Sequence, residues 1–359
     1  MEIHNRIENL LVEMKKSGIE GLFLMREANV RYISGFTDSD SYVFITEKEN
    51  FFITDGRYIE QAQKQCPDYK VIKWGKPVGT LGDTVNQIVK ELELKSVGFE
   101  KDKMTYGLYE DFREKINGVE LIPTSGLVEK LRFIKDEEEI ANIREACRIA
   151  DVAFEKILNF IKPGMTESRV ALELEYYMRK EGASGVGFDT ILISGKKTSL
   201  LHGKPDNKVI EDGDLITLDY GALYNGYISD MTRTIGVGHL DDKKIEIYNL
   251  VKQAQEEGLK TIKAGVNGKT PDDRIREIIK DYEKYYYAGI GHGVGRELHE
   301  QPFLGKYCDR TLQENCVITL EPGLYMPGWG GVRIEDTIVV RKKGYEILTN
   351  STKELIILK

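Results

Sequence analysis

The chain has 359 residues, of which 41% are hydrophobic, and a formal net charge of −8. This length favours two globular domains with sizeable cores, and an acidic chain without a basic stripe excludes nucleic acid as its main partner. No apolar run reaches the length of a membrane span, and the charged N-terminal helix pattern is unlike a signal peptide. We therefore expect a cytoplasmic protein with no membrane partner. The cysteines are scattered without a CxxC pair and favour reduced, structural thiols: Cys66, Cys147, Cys308 and Cys316.

The first third of the chain alternates short apolar strands with helical patterns. Strand patterns occur at residues 21–25, 41–54, 69–74 and 96–99, the second of these being two strands joined by a charged turn. This alternation predicts an α/β domain over residues 1–125. We find no paired acids or phosphate loop in it and interpret it as a scaffold or gating domain.

A second domain is predicted over residues 134–359. Asp136 can cap its first helix, and Glu139, three residues later, completes a capping box. The chain then runs twice through helix, glycine-containing linker, second helix and acidic hairpin. In the second pass Thr270 is the predicted N-cap, with Pro271 at the first helical position. Two similar halves predict a pseudo-twofold α+β domain with its site between the hairpins.

The first acidic hairpin is predicted to turn at Asn225 and Gly226, which tolerate the positive φ of a two-residue turn. This register places Asp230 opposite Gly221, whose missing side chain should leave space there, and makes Asp219 a diagonal neighbour on the same face. Two buried like charges would repel, so a shared cation would stabilise them. The alternative is that both aspartates lie at exposed strand ends.

The second acidic hairpin carries glutamates on one face of each strand. Period-2 alternation lets Glu321 and Glu335 face inward together. A glycine-rich stretch before it contains His292 and His299, and His202 lies in a loop before the first hairpin. Histidines can act as ligands or proton donors, although a structural role for each is equally compatible with the sequence.

The sequence motifs that carry these residues are DYG, SDMTRT, GHGVGRELHE, LEPGLY and GVRIEDT, in that order. In this setting the chain resembles the pita-bread metallopeptidases, which include methionine aminopeptidase, aminopeptidase P and prolidase. The segments NVRYISGF and FFITDGRY resemble the extra N-terminal domain of the aminopeptidase P and prolidase branch. The resemblance implies a creatinase/prolidase-like α/β domain followed by an α+β pita-bread (creatinase/aminopeptidase) catalytic domain.

The resemblance also implies a set of metal ligands, namely Asp219, Asp230, His292, Glu321 and Glu335. It assigns Asp219 to one ion and His292 and Glu321 to the other. In this assignment, Asp230 and Glu335 are the ligands that bridge the two ions. Two divalent ions would balance the four carboxylates, whose charge is about −4, and oxygen-rich ligation suits Mn, Co or Fe better than a thiolate zinc site would. We expect two divalent ions per subunit, with Mn, Co, Fe and Zn as candidates.

The roles of the remaining site residues also come from the resemblance. It implies that Glu321 moves the proton, that His299 stabilises the oxyanion, and that His202 contacts the scissile amide or the residue after it. Tyr325 and Arg333 are expected to orient the ligands. The nucleophile would be a hydroxide bridging the two ions.

The function that the resemblance implies is hydrolysis of the N-terminal Xaa-Pro bond, by an aminopeptidase or a dipeptidase that acts on peptides with proline at the second position. Relatives in this branch are commonly homodimers, and we expect the same here. Removal of N-terminal methionine is an alternative, because Arg296 and Pro302 also occur in that version of the histidine loop. Phe303 stands where some prolidases carry an arginine suited to a dipeptide carboxylate. A catalytically inactive pita-bread binding protein is a further alternative, which the loss of a ligand would mark; no ligand is lost.

Overall fold

The computed structural model describes residues 3–359, and the chain divides into two compact units, the first ending at Arg132 and the second beginning at Phe133. The first unit continues past residue 125, where the sequence placed its end. The reason is that Leu127 and Val128, in the helix that follows, are buried in the core of this unit. Within the described residues, no helix is both long enough and apolar enough to cross a bilayer.

The N-terminal unit is the predicted α/β domain. Its helices are α1 (Ile3–Lys16), α2 (Glu27–Ser34), α3 (Ile59–Gln65), α4 (Leu81–Glu91), α5 (Tyr106–Lys115) and α6 (Leu127–Phe133). Its strands are β1 (Gly21–Leu24), β2 (Ser41–Thr46), β3 (Phe51–Thr54), β4 (Lys70–Lys73), β5 (Ser96–Glu100) and β6 (Glu120–Thr124). They form one mixed sheet in the order β4-β3-β2-β1-β5-β6, and the strands anticipated from the apolar runs are all present.

The C-terminal unit contains two helix pairs. The first pair is α7 (Glu137–Phe160) and α8 (Glu167–Lys180), and the second is α9 (Asp242–Leu259) and α10 (Thr270–Ile279). Short 3₁₀ helices span Gly195–Ser199 and Lys280–Tyr285. The predicted capping box of α7 is confirmed, because Asp136 accepts from the Glu139 amide and the Glu139 carboxylate accepts from the Asp136 amide. The predicted cap of α10 is wrong: the helix already includes Thr270, and Lys269 precedes it without a side-chain cap.

Each helix pair packs on its own group of strands. The first half contains β7 (Gly185–Val186), β8 (Ile191–Ser194), β9 (Leu215–Tyr220), β10 (Ala222–Tyr224), β11 (Tyr227–Ile228) and β12 (Met231–Val237). The second half contains β13 (Gly289–Gly293), β14 (Glu300–Gly305), β15 (Val317–Leu320), β16 (Gly323–Met326), β17 (Gly330–Arg333), β18 (Asp336–Arg341) and β19 (Gly344–Ile347). The last strand of the chain, β20 (Ile357–Leu358), pairs with β12 and so joins the strands of the first half.

The main sheets run in the orders β20-β12-β9-β8 and β14-β13-β15-β18-β19, with smaller sheets β11-β10-β7 and β16-β17 beside them. One apolar core lies between the first sheet and α7 and α8, and another lies between the second sheet and α9 and α10. Each half therefore buries its own helix pair on its own sheet, which is the predicted pseudo-twofold arrangement.

The register of the first hairpin follows from its turn. Asn225 and Gly226 have φ of 47° and 75°, and Tyr224 pairs with Tyr227 as a two-residue turn requires. The position opposite Asp230 is not empty as expected, however. A Cβ added to Gly221 would lie 1.7 Å from the carbonyl oxygen of Ser229. Glycine is therefore required there because the facing backbone is too close for any side chain.

We predict that Gly221→Ala lowers the free energy of unfolding by at least about 1–3 kcal/mol, because the added methyl group must push two strands apart. Urea denaturation of the variant would measure the loss. Gly107→Ala is the matched control, since a Cβ at Gly107 meets no atom within 4 Å. Equal stability of the two variants would contradict the packing described here.

Candidate metal centre

The two aspartates of the first hairpin are buried rather than exposed at strand ends. Asp219 lies near the carboxyl end of β9 and is 8% exposed. Asp230 directly precedes β12 and is 4% exposed. Thr232 pairs with Asp219, so Asp230 lies diagonally across from it, as the turn predicted. The alternative of exposed strand ends is therefore wrong.

The second hairpin places its two glutamates where β15 and β16 meet β17 and β18. Thr319 pairs with Thr337, and Gly323 pairs with Arg333, so Glu321 and Glu335 lie between these pairs in the same register. Glu335 is only 1% exposed. Both acidic hairpins therefore carry their carboxylates at, or within two residues of, an interruption between two paired segments.

Hydrogen bonds from the first hairpin hold Glu335 in place. Its amide donates to the Thr232 carbonyl at 3.1 Å, and its Oε2 accepts from the Thr232 hydroxyl at 2.7 Å. Its other oxygen, Oε1, is buried and has no hydrogen-bond partner. A buried carboxylate oxygen is costly when unpaired, so this atom is suited to a bound cation.

His292 faces the carboxylates with one ring nitrogen. Its Nδ1 lies 3.1 Å from the Gly293 carbonyl, an arrangement that favours donation from Nδ1. Nε2 is then an acceptor in the neutral ring and a donor to the carboxylates in the protonated ring. Nε2 lies 3.5 Å from Asp230 Oδ2 and 3.4 Å from Glu321 Oε1. Ligand atoms of Asp230, His292 and Glu335 all lie within 4.8 Å of one another. This spacing, with a nitrogen donor among carboxylates, is that of a metal site.

Arg333 supplies a buried positive charge beside Asp219. Its guanidinium contacts Asp219 Oδ2, donates to the Tyr325 hydroxyl at 3.0 Å, and donates to the Thr232 hydroxyl at 3.1 Å. It also donates to the Leu201 carbonyl at 3.3 Å. Arg333 and Tyr325 thus contact each other beside Asp219.

The electrostatics show carboxylates in need of compensation. Burial, followed by repulsion from Glu335 and Asp219, raises the pKa of Asp230 well above its usual value. Burial and repulsion from Glu321 and Asp219 raise the pKa of Glu335 in the same way. Burial also raises the pKa of Asp219, although Arg333 opposes it. Burial opposes the ionised form of Glu321 too, but the hydrogen bond and charge of His292 outweigh it and lower the pKa of this carboxyl.

The other two histidines lie at the exposed side of the cluster. The His299 ring meets the His292 ring edge-on, with centroids 4.4 Å apart. Burial, followed by repulsion from His292 and a smaller contribution from His202, lowers the pKa of His299. His202 also influences Asp219, so all three histidines lie within electrostatic reach of the carboxylates.

Sequence reasoning missed Thr232, which contacts both Glu335 and Arg333. The signal was present in the hairpin register, because Thr232 stands directly opposite Asp219 and its side chain therefore shares the face of the carboxylates. Threonine is β-branched and common in strands, so its presence in β12 indicates a strand and does not by itself predict a hydroxyl that orients other side chains.

Residues 141–342 match the model of Metallopeptidase family M24. The chain belongs to this family. Residues 6–134 match the Creatinase/Prolidase N-terminal domain, so the family, the fold and the expectation of a hydrolase are confirmed.

Similar proteins align along almost the whole chain. The structure of the Xaa-Pro dipeptidase from Bacillus anthracis is 47% identical with a TM-score of 0.96, over 99% of this chain and 100% of that one. The X-Pro aminopeptidase from Thermotoga maritima is 37% identical with a TM-score of 0.90, over 96% and 99%. The Xaa-Pro dipeptidase of Pyrococcus furiosus is 38% identical, over 98% of this chain and 99% of its own.

The raised carboxyl pKa values predict a pH dependence for the metal-free protein. Asp230 and Glu335 hold protons more tightly when folded, so this stabilisation is present at low pH and is lost as pH rises from the ordinary carboxyl value toward the raised one. As pH rises above the ordinary carboxyl pKa of about 4, the melting temperature should therefore fall, and less steeply in Glu335→Gln. Added Mn²⁺ should raise the melting temperature of the wild-type protein again at the higher pH.

Glu60→Gln is the control for this pH series, because the Glu60 side chain is 83% exposed in the N-terminal unit. Its melting curve should follow that of the wild type. If Glu335→Gln also followed the wild type at every pH, the assignment of uncompensated charge to Glu335 would be wrong.

Proposed function

We propose that this protein is a metal-dependent peptidase that hydrolyses the Xaa-Pro bond at the N-terminus of short peptides, as a dipeptidase or an aminopeptidase. The observation that carries the proposal is the close match of the whole chain to an Xaa-Pro dipeptidase, with the clustered acids and His292 in place. Removal of N-terminal methionine is not favoured, because the similar proteins named above carry Xaa-Pro peptidase names. An inactive binding protein is disfavoured by the intact ligand set.

The chain offers a ligand set that fits two divalent ions. Asp219 would hold one ion, His292 and Glu321 the other, and Asp230 and Glu335 would bridge them. The unpaired Glu335 Oε1 and the acceptor nitrogen of His292 supply donor atoms for this arrangement. Bound divalent ions supply Lewis acidity and make water nucleophilic near neutral pH.

Glu321 and His299 would carry the proton and hydrogen-bond chemistry. Glu321 is less buried than Glu335, and its ionised form can accept a proton from water and pass it to the departing amine. His299 can donate a hydrogen bond to the scissile carbonyl oxygen as that oxygen gains negative charge. His202, on the loop before β9, would contact the scissile amide or the residue after it.

Proline would be selected by geometry. A proline at the second position makes the scissile bond a tertiary amide without an N–H, and its ring fixes φ. A pocket shaped for the ring therefore accepts proline and excludes larger or more flexible residues. Arg333 and Tyr325, which contact each other beside Asp219, would keep the ligands in one orientation while the substrate binds.

We also propose Mn²⁺ or Co²⁺ as the activating ions, with Fe²⁺ and Zn²⁺ as further candidates, a homodimer as the active form, and the cytoplasm as its location. Oxygen-rich ligation supports the choice of ions. Sedimentation at working concentration would test the dimer, and a fully active monomer would contradict it.

For the substrate we predict a higher kcat/KM for Ala-Pro-Ala than for Ala-Ala-Ala or Met-Ala-Ser in the presence of Mn²⁺ or Co²⁺. Release of the first residue measures this directly, and Ala-Pro in the same assay separates dipeptidase from aminopeptidase activity. A preference for Met-Ala-Ser would replace the proline assignment with the methionine alternative.

Substitution of His292 and substitution of His299 should reduce activity in different ways. His299→Ala should keep its metal and lose about 10²–10³ in kcat, since one oxyanion donor contributes about 2.7–4 kcal/mol of transition-state stabilisation. His292→Ala should bind metal more weakly, because the substitution removes a proposed ligand. Metal analysis alongside kinetics distinguishes the two, and loss of metal from His299→Ala would refute the donor role.

A further inference from the structure

We propose that Lys135 is a positioning residue for catalysis, because its buried ammonium holds Glu300 and thereby fixes the loop that carries His299. This inference rests on the proposed function, in which His299 acts on the substrate. Lys135 lies just before α7, far along the chain from the histidine loop.

Lys135 and Glu300 form an ion pair inside the C-terminal unit. Lys135 Nζ lies 2.9 Å from Glu300 Oε2, and the two side chains are 2% and 7% exposed. A buried ion pair adds little net stability compared with apolar packing, yet removal of one partner leaves an uncompensated charge. What such a pair does specify is the position of both groups, and one of them directly follows His299.

The second carboxylate oxygen of Glu300 binds backbone amides of the loop that carries His299. Glu300 Oε1 accepts hydrogen bonds from the amides of Arg296 at 2.9 Å and Glu297 at 3.1 Å. A Cβ on Gly295 would approach both carboxylate oxygens to 2.9 Å and Lys135 Cε to 3.0 Å. The carboxylate is thus enclosed by the loop on one side and by the lysine on the other.

The same loop is tied to the first acidic hairpin and to the start of α7. The Ile228 amide donates to the Gly295 carbonyl at 2.8 Å, and the Arg296 guanidinium lies 4.5 Å from the centre of the Tyr227 ring. The Tyr227 hydroxyl donates to Glu139 Oε1 at 3.1 Å, in the first turn of α7. Lys135 directly precedes that turn. The loop is therefore held from two sides, by Lys135 through Glu300 and by the first turn of α7 through Tyr227.

The position of His299 depends on these contacts because His299 itself is largely exposed. Its ring contacts His292, but its backbone is placed by the loop and by Glu300 next to it. A displacement of about 1 Å in a catalytic group can cost about 10² in rate. The lysine would therefore act on the reaction through position, without touching the substrate.

The test is Lys135→Met, which keeps an unbranched side chain only one atom shorter and removes the charge. In folded protein saturated with Mn²⁺, we expect kcat to fall about 10²-fold while KM changes by less than about threefold. Mn²⁺ affinity should stay at the wild-type value, and Lys135→Arg should recover most of kcat. If Lys135→Met does not fold, the double variant Lys135→Met/Glu300→Gln, which removes both charges of this pair, is measured instead with the same expected results.

Arg276→Met is the matched control, because Arg276 pairs with the fully buried carboxylate of Asp272 at 2.8 Å in α10. It should lower the melting temperature and leave kcat unchanged. Unchanged kcat in Lys135→Met, or loss of Mn²⁺ affinity in parallel with kcat, would overturn the proposal.

Hydrogen exchange measured by mass spectrometry provides a readout that does not depend on the reaction. Amides of Arg296 and Glu297 should exchange faster in Lys135→Met than in wild type and Arg276→Met. Unchanged exchange there would overturn the link from Lys135 to the loop. If the wild type cleaves no Xaa-Pro peptide, the proposed function fails instead, and exchange alone decides whether Lys135 fixes the loop.

Discussion

The structure of the C-terminal unit depends on one constraint, which is that four carboxylates share a buried space. Asp230 and Glu335 are almost completely excluded from solvent, and like charges at this separation in a low-dielectric interior repel strongly. Arg333 offsets part of the charge at Asp219, and His292 offsets part at Glu321. The unpaired Glu335 Oε1 indicates where compensation is still missing. A divalent cation is the simplest group that supplies it.

The fold answers this constraint with two hairpins that hold the acids from opposite halves. Thr232 on the first hairpin accepts from Arg333 and donates to Glu335, both on the second. Thr234 extends this link, since its hydroxyl donates to the Arg333 carbonyl at 2.9 Å. Each helix pair packs behind its own sheet, so the rigid part of the unit lies behind the site. The exposed His202 and His299 can then lie on loops.

Much of the site could be predicted because its residues follow local rules. Asn225 and Gly226 specify a two-residue turn, and that turn sets the register of both aspartates. Period-2 alternation was sufficient to bring Glu321 and Glu335 to one face. The fold class followed from alternating strand and helix patterns, and the family from motifs in a fixed order.

Other features could not be predicted because they join residues far apart in the chain. No local pattern brings Lys135 to Glu300 or Thr232 to Glu335, and only tertiary packing sets those distances. The close approach of Ser229 to Gly221 was missed for a related reason: the register tells which residues are opposite, but not that the strands come within contact there. The end of the first unit was placed too early because the burial of Leu127 and Val128 depends on a core assembled from earlier elements.

We expect bound divalent ions to stabilise the buried carboxylates of the C-terminal unit. Calorimetric titration of metal-free protein with Mn²⁺, in two buffers of different ionisation enthalpy, tests it most directly. We expect about two ions per chain and a release of protons on binding, since ligands must be deprotonated to bind metal. Absence of saturable binding, or binding without proton release, would contradict it.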